Sequence, residues 1–179
     1  MPHLRFAAIL ALLVTLALAA MPASQAQSST PDESGHGGVT GLPIPRFVSL
    51  RSDEVNLRTG PGIRYPIDWV YQRRGLPVEV IDEFEAWRRI RDREGTTGWV
   101  HQSMLAAERT AVIVGERRML RATAAAQSEA VAWLEPGVIV KLEHCAQTWC
   151  EAIAQDAGES YRGWLAKDEI WGVYPEENL

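Results

Sequence analysis

The stretch "VNLRTGPGIRYPIDWV", Val55–Val70, places a Gly-Pro-Gly motif, an aromatic residue and a second proline between two apolar runs. Proline restricts its own φ and glycine tolerates positive φ, so the motif predicts a tight turn between short strands. With Pro61 at the second position of a type II turn, Gly62 would take the third position, where φ is positive. The stretch therefore predicts a hairpin of a small β domain.

The chain from Pro45 onward repeats this texture. Short apolar runs recur between glycine, proline or charged residues, as in "VEVIDEF", "GWVHQSML" and "VIVKLEHC". Runs of this length with such boundaries are typical of β-strands, and no window shows the apolar stripe of a dozen-residue helix. Many short strands at close spacing predict an all-β fold made of small barrels.

The two halves of this region also resemble each other. Shared landmarks occur in the same order, at an offset of 62 to 65 residues. So little drift is expected of a duplicated domain, with units of about 60 residues. The matching positions are Leu57–Arg58 with Leu120–Arg121, Gly75 with Gly137, Trp87 with Trp149, and Gly98–Val100 with Gly163–Leu165.

The landmarks of the first half resemble the bacterial SH3-like domain, often called SH3b. They are "VNLRTGPG", a glycine before "VEV", a tryptophan and then "GWV"; the second half keeps the shared positions but has "LRATAAAQSEAVAW" instead of Gly-Pro-Gly. The resemblance implies two tandem SH3-like β-barrels, at residues 44–107 and 110–174. It further implies an exported bacterial protein whose modules bind cell-wall peptide or another protein.

The loop after Gly62 and the strand that follows it carry the candidate ligand-binding residues. In the eukaryotic SH3 barrel a comparable long loop flanks an aromatic groove for proline-rich peptide. By analogy, this loop would line a groove here; alternatively, it only closes a hairpin. The candidate binding residues are Arg64, Tyr65, Asp68, Trp69 and, on a later strand, Trp87.

Trp87 is singled out by its spacing from Ile90, three residues later. Strand faces alternate with period two, so in one regular strand these two residues point to opposite faces. Either the strand carries a bulge or Trp87 lies partly on the surface. Since large aromatic residues also fill small cores efficiently, packing is the alternative to ligand contact.

The two cysteines, Cys145 and Cys150, lie in "HCAQTWC". A local disulfide is the favoured interpretation for an exported protein, with free thiols or metal and redox chemistry as alternatives. The spacing completes no zinc motif. At an offset of 62, the cysteines align with Glu83 and Arg88 in the first unit, so a covalent link would replace an opposite-charge pair.

The first residues read as an export signal. A short positive start precedes the apolar run Phe6–Ala20, and small residues follow up to Ala26. This is the pattern of a cleavable signal peptide, residues 1–26, and the run is shorter than the roughly 20 residues of a membrane span. Residues 27–43 are polar and rich in glycine and proline, which predicts a flexible tether. We therefore expect a periplasmic or secreted protein without a transmembrane segment after cleavage.

The formal net charge of −5 argues against nucleic acid as a partner, because phosphates require a basic surface. No catalytic residues, cofactor or metal site are expected. His144 and Cys145 are adjacent and would point to opposite strand faces, and His101 is expected at a solvated strand end. We therefore expect a non-catalytic binding or targeting protein whose partner is peptidoglycan peptide or an envelope protein. The alternative is a scaffold or inhibitor of a periplasmic cell-wall enzyme.

Overall fold

The computed structural model describes Gly35 and residues 37–179. The expected signal peptide, residues 1–26, and the start of the expected tether lie outside the described residues. Within them, strands alternate with turns, and the helical elements are two short 3₁₀ turns, Gln102–Met104 and Lys167–Glu169. None of the helices in the described part of the chain has the length and apolar character to span a bilayer.

The first seven strands form one antiparallel sheet. They are β1 (Arg46–Leu50), β2 (Val55–Arg58), β3 (Ile67–Tyr71), β4 (Pro77–Phe84), β5 (Trp87–Arg91), β6 (Thr97–His101) and β7 (Leu105–Ala106). Their order across the sheet is β3-β2-β6-β5-β4-β1-β7. We call this unit the first barrel.

Three residues, 107–109, lead from β7 into the second sheet. Its strands are β8 (Thr110–Ile113), β9 (Arg118–Arg121), β10 (Ala130–Leu134), β11 (Ile139–Ala146), β12 (Trp149–Asp156), β13 (Glu159–Ala166) and β14 (Ile170–Trp171). The order is β10-β9-β13-β12-β11-β8-β14, which repeats the first sheet strand for strand. We call it the second barrel. The predicted all-β fold with two tandem repeats is confirmed.

Each sheet wraps around its own core, because all of its seven strands contribute buried side chains to one apolar cluster. Alternate residues point inward along each strand, as expected for a sheet with one buried face. The first core is made of Leu50, Val55, Leu57, Tyr71, Val78, Val80, Ile90, Val100 and Leu105. Its counterpart includes Ala111, Ile113, Leu120, Leu134, Val140, Leu142, Leu165 and Ile170.

The repeated glycines mark a close approach between two strands. A Cβ on Gly98 would lie 2.6 Å from Leu57 Cγ, and one on Gly163 would lie 2.6 Å from the carbonyl oxygen of Arg121. Only glycine fits this crossing of β6 over β2, and of β13 over β9. The Leu-Arg and Gly-Trp landmarks of the sequence are therefore two sides of one contact.

The two barrels belong to one compact unit and pack directly on each other. The Phe47 ring lies 5.0 Å from the Trp171 ring and 4.7 Å from the Tyr174 ring. The Thr110 hydroxyl donates a 2.7 Å hydrogen bond to the Gly75 carbonyl. Two further contacts join Arg73 to the Gly137 carbonyl (2.8 Å) and the Tyr174 hydroxyl to Glu79 (2.7 Å).

The disulfide between Cys145 and Cys150 is present, and it occupies the predicted register position. Cys145 lies opposite Cys150 in the β11–β12 ladder, as Glu83 lies opposite Arg88 in the β4–β5 ladder. The Arg88 Nε lies 3.6 Å from the Glu83 carboxylate, and both side chains are almost completely buried. A covalent link in the second barrel thus replaces a buried ion pair in the first.

Residues 37–43 belong to the first barrel rather than to a tether. The Glu83 carboxylate accepts hydrogen bonds from the Thr40 amide (2.8 Å), the Thr40 hydroxyl (2.7 Å) and the Arg46 guanidinium (2.8 Å). Burial would raise the pKa of Glu83, but these hydrogen bonds outweigh it and lower the pKa to about 2. The composition of this segment did not reveal that a buried carboxylate would hold it.

The stretch "GWVHQSML" is not one strand as predicted. It divides into β6, the 3₁₀ turn Gln102–Met104 and β7. The His101 side chain accepts a hydrogen bond from the Ser103 amide and thereby caps the turn. Polar side chains that bond to nearby main chain compete with a β ladder, which explains the interruption. The second barrel has the same break at Lys167–Glu169.

Candidate functional site

The loop between β2 and β3 is shaped by Tyr65 rather than by a type II turn. Gly62 does not have the positive φ that this prediction required. A Cβ on Gly60 would lie 2.5 Å from the Tyr65 ring, and one on Gly62 would lie 3.3 Å from it. The glycines of the Gly-Pro-Gly motif therefore make room for the aromatic ring, which packs back onto the loop.

Arg58, at the end of β2, holds the same loop from the other side. Its guanidinium donates hydrogen bonds to the carbonyl oxygens of Ile63 (3.2 Å) and Tyr65 (2.8 Å). Arginine presents several donors in a rigid plane, so one side chain can bind two carbonyls at once. This arrangement leaves the Ile63 side chain 83% exposed at the tip of the loop.

A cleft of about 230 Å³ lies between this loop and the outer face of β5 and β6. Trp87 and His101 face each other across the β5–β6 ladder, and their rings meet edge to face at 5.4 Å. The His101 Nδ1 accepts from the Ser103 amide and lies 2.7 Å from the Ser103 hydroxyl, which fixes the ring. The cleft is lined by Glu54, Asn56, Arg58, Ile63, Trp87, His101, Ser103 and Met104.

Trp87 lies on the surface, which resolves the two alternatives left by its spacing. In β5, Arg88 and Ile90 point inward, and Trp87 is half-buried on the opposite face. The bulge of this hairpin lies in β4, between Val80 and Asp82, and does not shift Trp87. A half-buried tryptophan beside a cleft combines an apolar surface with a polar N–H, which suits ligand contact.

The other candidate residues lie apart from this cleft. Asp68 and Trp69 are exposed on β3, the edge strand of the first barrel, and Trp69 is 57% exposed. Tyr65 packs inside the loop, and the Arg64 guanidinium lies over its ring at 5.6 Å. The structure therefore places Trp87 in the cleft, Arg64 and Tyr65 in the loop, and Asp68 and Trp69 on the edge strand.

Sequence reasoning missed most of the cleft. His101 was expected to be a solvated strand end, and Asn56, Ser103 and Met104 were not considered. Their common signal is an outward position on strands or turns that neighbour Trp87. That signal becomes visible only when β5 is paired with β6, since Trp87 and His101 are far apart in the chain.

The second barrel has a corresponding cleft with different chemistry. Its volume is about 390 Å³, and Trp149 stands where Trp87 stands in the first barrel. The Arg121 guanidinium lies 5.2 Å from the Trp149 ring and binds both Glu169 carboxylate oxygens, at 2.8 and 3.0 Å. The lining residues are Thr148, Trp149, Ala166, Lys167, Asp168 and Pro175.

The described residues bear on nucleophilic catalysis by cysteine and on metal binding. Cys145 is oxidised in the disulfide and is not a free nucleophile next to His144. In residues 35 and 37–179, no group of three or more histidine, cysteine, aspartate or glutamate side chains has an arrangement suited to a metal ion. Both clefts place an aromatic ring beside hydrogen-bonding groups.

This chain is similar to one protein-family model and to several solved structures. The family model of the bacterial SH3 domain matches residues 51–106 and 114–172. The structures of NlpC2 and NlpC1 from Trichomonas vaginalis are similar at 10% identity and a TM-score of 0.32 each, and they cover 71% and 70% of this chain. The matched regions are 48% and 45% of those structures, so this chain spans about half their length. The search of curated proteins found no match.

The two family matches lie one in each barrel, beginning just after β1 and just after β8, and together they include more than half of the chain. They also end within one residue of β7 and of β14. This chain therefore belongs to the bacterial SH3 domain family and contains two copies of the domain.

Proposed function

We propose that this protein is a non-catalytic, exported binding module that recognises cell-wall peptide through the Trp87 cleft of the first barrel. Bacterial SH3 domains are typically cell-wall binding modules. The observation that carries the proposal is the half-buried Trp87 ring in an open cleft, with His101 held beside it. Peptide ligands of small barrels are commonly held by such aromatic surfaces.

The polar groups around the ring fit a short peptide. Glu54 and Arg58 place opposite charges in the lining, and Asn56 and Ser103 add groups that donate and accept hydrogen bonds. Short wall peptides carry amino and carboxylate groups together with main-chain amides, so both charges have partners in such a ligand. The acidic net charge disfavours nucleic acid, as argued above.

The Cys145–Cys150 disulfide supports an exported, periplasmic or secreted location. Disulfides persist in oxidising compartments and are rare in the reducing cytosol. The signal-like first 26 residues point to the same location. The absence of enzymatic activity remains part of the proposal.

A pull-down on purified peptidoglycan tests this function. We expect the intact chain to sediment with the wall material and the Trp87→Ala variant to lose most of the binding. The Trp133→Ala variant is the matched control, because Trp133 is 56% exposed but belongs to the second barrel. Equal loss of binding in both variants, or none in either, would contradict the assignment of the cleft.

The second candidate function is a scaffold or inhibitor of a periplasmic cell-wall enzyme. It is favoured by the edge strand β3, where Ile67 and Trp69 are 47% and 57% exposed. Exposed edge strands with apolar side chains are sites for pairing with another protein. Co-purification with one envelope protein that Trp69→Ala abolishes, without wall binding, would select this function over the first.

A further inference from the structure

The residues after β14 dock on one corner of the second barrel, which is formed by Arg109, Cys145 and Lys167. We call Tyr174–Leu179 the docked segment. Its Leu179 amide donates to the Cys145 carbonyl at 3.1 Å, and the Cys145 amide donates to the Leu179 carbonyl at 3.4 Å. His144 Nδ1 also lies 2.7 Å from the Leu179 carbonyl oxygen. Residue 179 is thus paired with the end of β11 as an added strand residue would be.

Charged side chains of the barrel hold the middle of the docked segment. The Arg109 guanidinium binds both oxygens of the Glu177 carboxylate. The Lys167 ammonium, on a residue that is only 8% exposed, donates to the carbonyls of Pro175 (2.9 Å) and Glu177 (2.7 Å). A buried ammonium requires such partners, so the corner is suited to a chain segment that carries a carboxylate.

In the first barrel, the equivalent corner is filled by residues that come before β1 in the chain, not after the last strand. Arg46, the first residue of β1, pairs with Val80 and is the register counterpart of Arg109, whose carbonyl accepts from the Leu142 amide just before β8. Arg46 donates a 3.2 Å hydrogen bond to the Pro43 carbonyl. Glu83, the register counterpart of Cys145, holds Thr40. Residues 37–43 therefore occupy the corner of the first barrel, whereas the residues after β14 occupy that of the second. In each barrel a segment adjacent in sequence to the sheet fills this corner.

We propose that the corner of the second barrel is a docking surface for an acidic peptide of a partner protein, and that the docked segment occupies it in cis. A carboxylate on the partner would bind Arg109, two of its carbonyls would bind Lys167, and its main chain would pair with Cys145. Charge complementarity selects an acidic peptide, because the corner presents Arg109 and Lys167 and the docked segment supplies Glu177.

The docked segment competes with any partner. The apparent dissociation constant in trans equals the intrinsic constant divided by the fraction of molecules with an open corner. A variant that weakens the docked segment should therefore bind an added peptide more tightly.

The test uses the full chain and a synthetic peptide, VYPEENL, which corresponds to Val173–Leu179. Titration calorimetry should show binding to the Glu177→Gln chain that is at least about tenfold tighter than binding to the unmodified chain. The Glu176→Gln chain is the matched control, since Glu176 is exposed, and it should behave as the unmodified chain does. A peptide with glutamine at the position of Glu177 should not show this tighter binding to the Glu177→Gln chain.

Leu179→Ala provides a second way to weaken the segment while the Arg109–Glu177 pair stays intact. Amide hydrogen exchange verifies that the segment has detached and that the barrel remains folded. Equal binding to all chains, or no binding to a chain whose segment has detached, would overturn the proposal. A concentration-dependent dimer of the Glu177→Gln chain that excludes the peptide would assign the corner to a second copy and would also overturn it.

Discussion

The tips of the β4–β5 and β11–β12 hairpins occupy the same place in two barrels of identical topology, yet they are closed by different chemistry. The first uses the buried pair of Glu83 and Arg88, and the second uses the disulfide of Cys145 and Cys150. Besides facing Arg88, the Glu83 carboxylate accepts a hydrogen bond from the Thr40 hydroxyl. The disulfide offers no such hydrogen-bond acceptor, so the segment at that corner is held by main-chain hydrogen bonds and by neighbouring charged residues.

The β2–β3 and β9–β10 loops differ in the same way. In the first barrel Arg58 binds the carbonyls of its loop, and an aromatic ring packs on glycine. In the second, the loop is closed by its own residues, with the Ala122 amide bound to the Glu129 carbonyl and the Thr123 amide bound to Ser128. Arg121 is therefore available to bind Glu169. The same arginine position thus holds a loop in the first barrel, whereas in the second it binds Glu169 and lies over the Trp149 ring.

The largest expected effect tests what the barrels share. Gly98→Ala and Gly163→Ala should each destabilise their own barrel by about 3 kcal/mol, because the added Cβ meets main chain or a core leucine at 2.6 Å. Urea unfolding followed by tryptophan fluorescence measures both. Similar losses would show that the two barrels depend on the same strand crossing.

The control for these variants is Gly38→Ala. A Cβ on Gly38 meets no heavy atom of the described residues within 4 Å, and the backbone there does not have positive φ. Its unfolding free energy should stay within about 0.5 kcal/mol of the unmodified chain. A loss as large as that of Gly98→Ala would show that the close approach is not the cause.

The next effect tests the difference at the hairpin tips. Glu83→Gln removes the charge that faces Arg88 and Arg46, and Arg88 is only 4% exposed. Breaking a buried ion pair leaves an uncompensated charge, so we expect a loss of about 3 kcal/mol in urea unfolding. A loss below about 0.5 kcal/mol would mean that the pair contributes nothing beyond packing.

The same carboxylate predicts acid sensitivity of the first barrel. The pKa of Glu83 is about 2 in the folded protein against an ordinary value of 4.5. A lowered pKa stabilises the fold above pH 4.5, and this contribution is lost as the pH falls toward 2. Urea midpoints at decreasing pH should fall for the unmodified chain, and Glu83→Gln should remove most of this dependence. Parallel pH curves for both chains would contradict the assignment.

The agreement between sequence and fold came from local patterns. Alternating apolar residues and repeated landmarks identified two units, since each strand carries its own inward face. The same reasoning failed where a side-chain contact decides the outcome. Gly62 was assigned a turn conformation, but packing of the Tyr65 ring determines the loop.

The candidate site was less accessible to prediction for the same reason. Trp87 was found because its spacing from Ile90 is a property of one strand. His101 and Ser103 join it only through pairing of β5 with β6 and through the 3₁₀ turn. The docked segment depends on Arg109 and Lys167, which are separated from it by strands, so no local pattern identified it.

The disulfide gives a smaller expected effect than the ion pair. The C145S/C150S double variant should lose about 2 kcal/mol in the second barrel, because the closed loop is short and restricts the unfolded chain only modestly. Urea unfolding measures this loss, and thiol titration of the unreduced protein should detect no free thiol. Two titratable thiols, or a loss greater than that of Glu83→Gln, would reverse the comparison of the two hairpins.

The smallest expected effect concerns the loop that borders the first cleft. Arg58→Met keeps the length of the side chain but removes the hydrogen bonds to Ile63 and Tyr65, which should cost about 1 kcal/mol since the site is partly exposed. Arg74→Met, at an exposed position, is the control. Because Arg58 and Ile63 both line the cleft, wall binding should fall in Arg58→Met by more than its stability loss explains, with the fold intact in water. If Arg58→Met and Arg74→Met bound the wall equally well, the hydrogen bonds of Arg58 to its loop would have no role in recognition. The loops of the two barrels would then differ in structure alone.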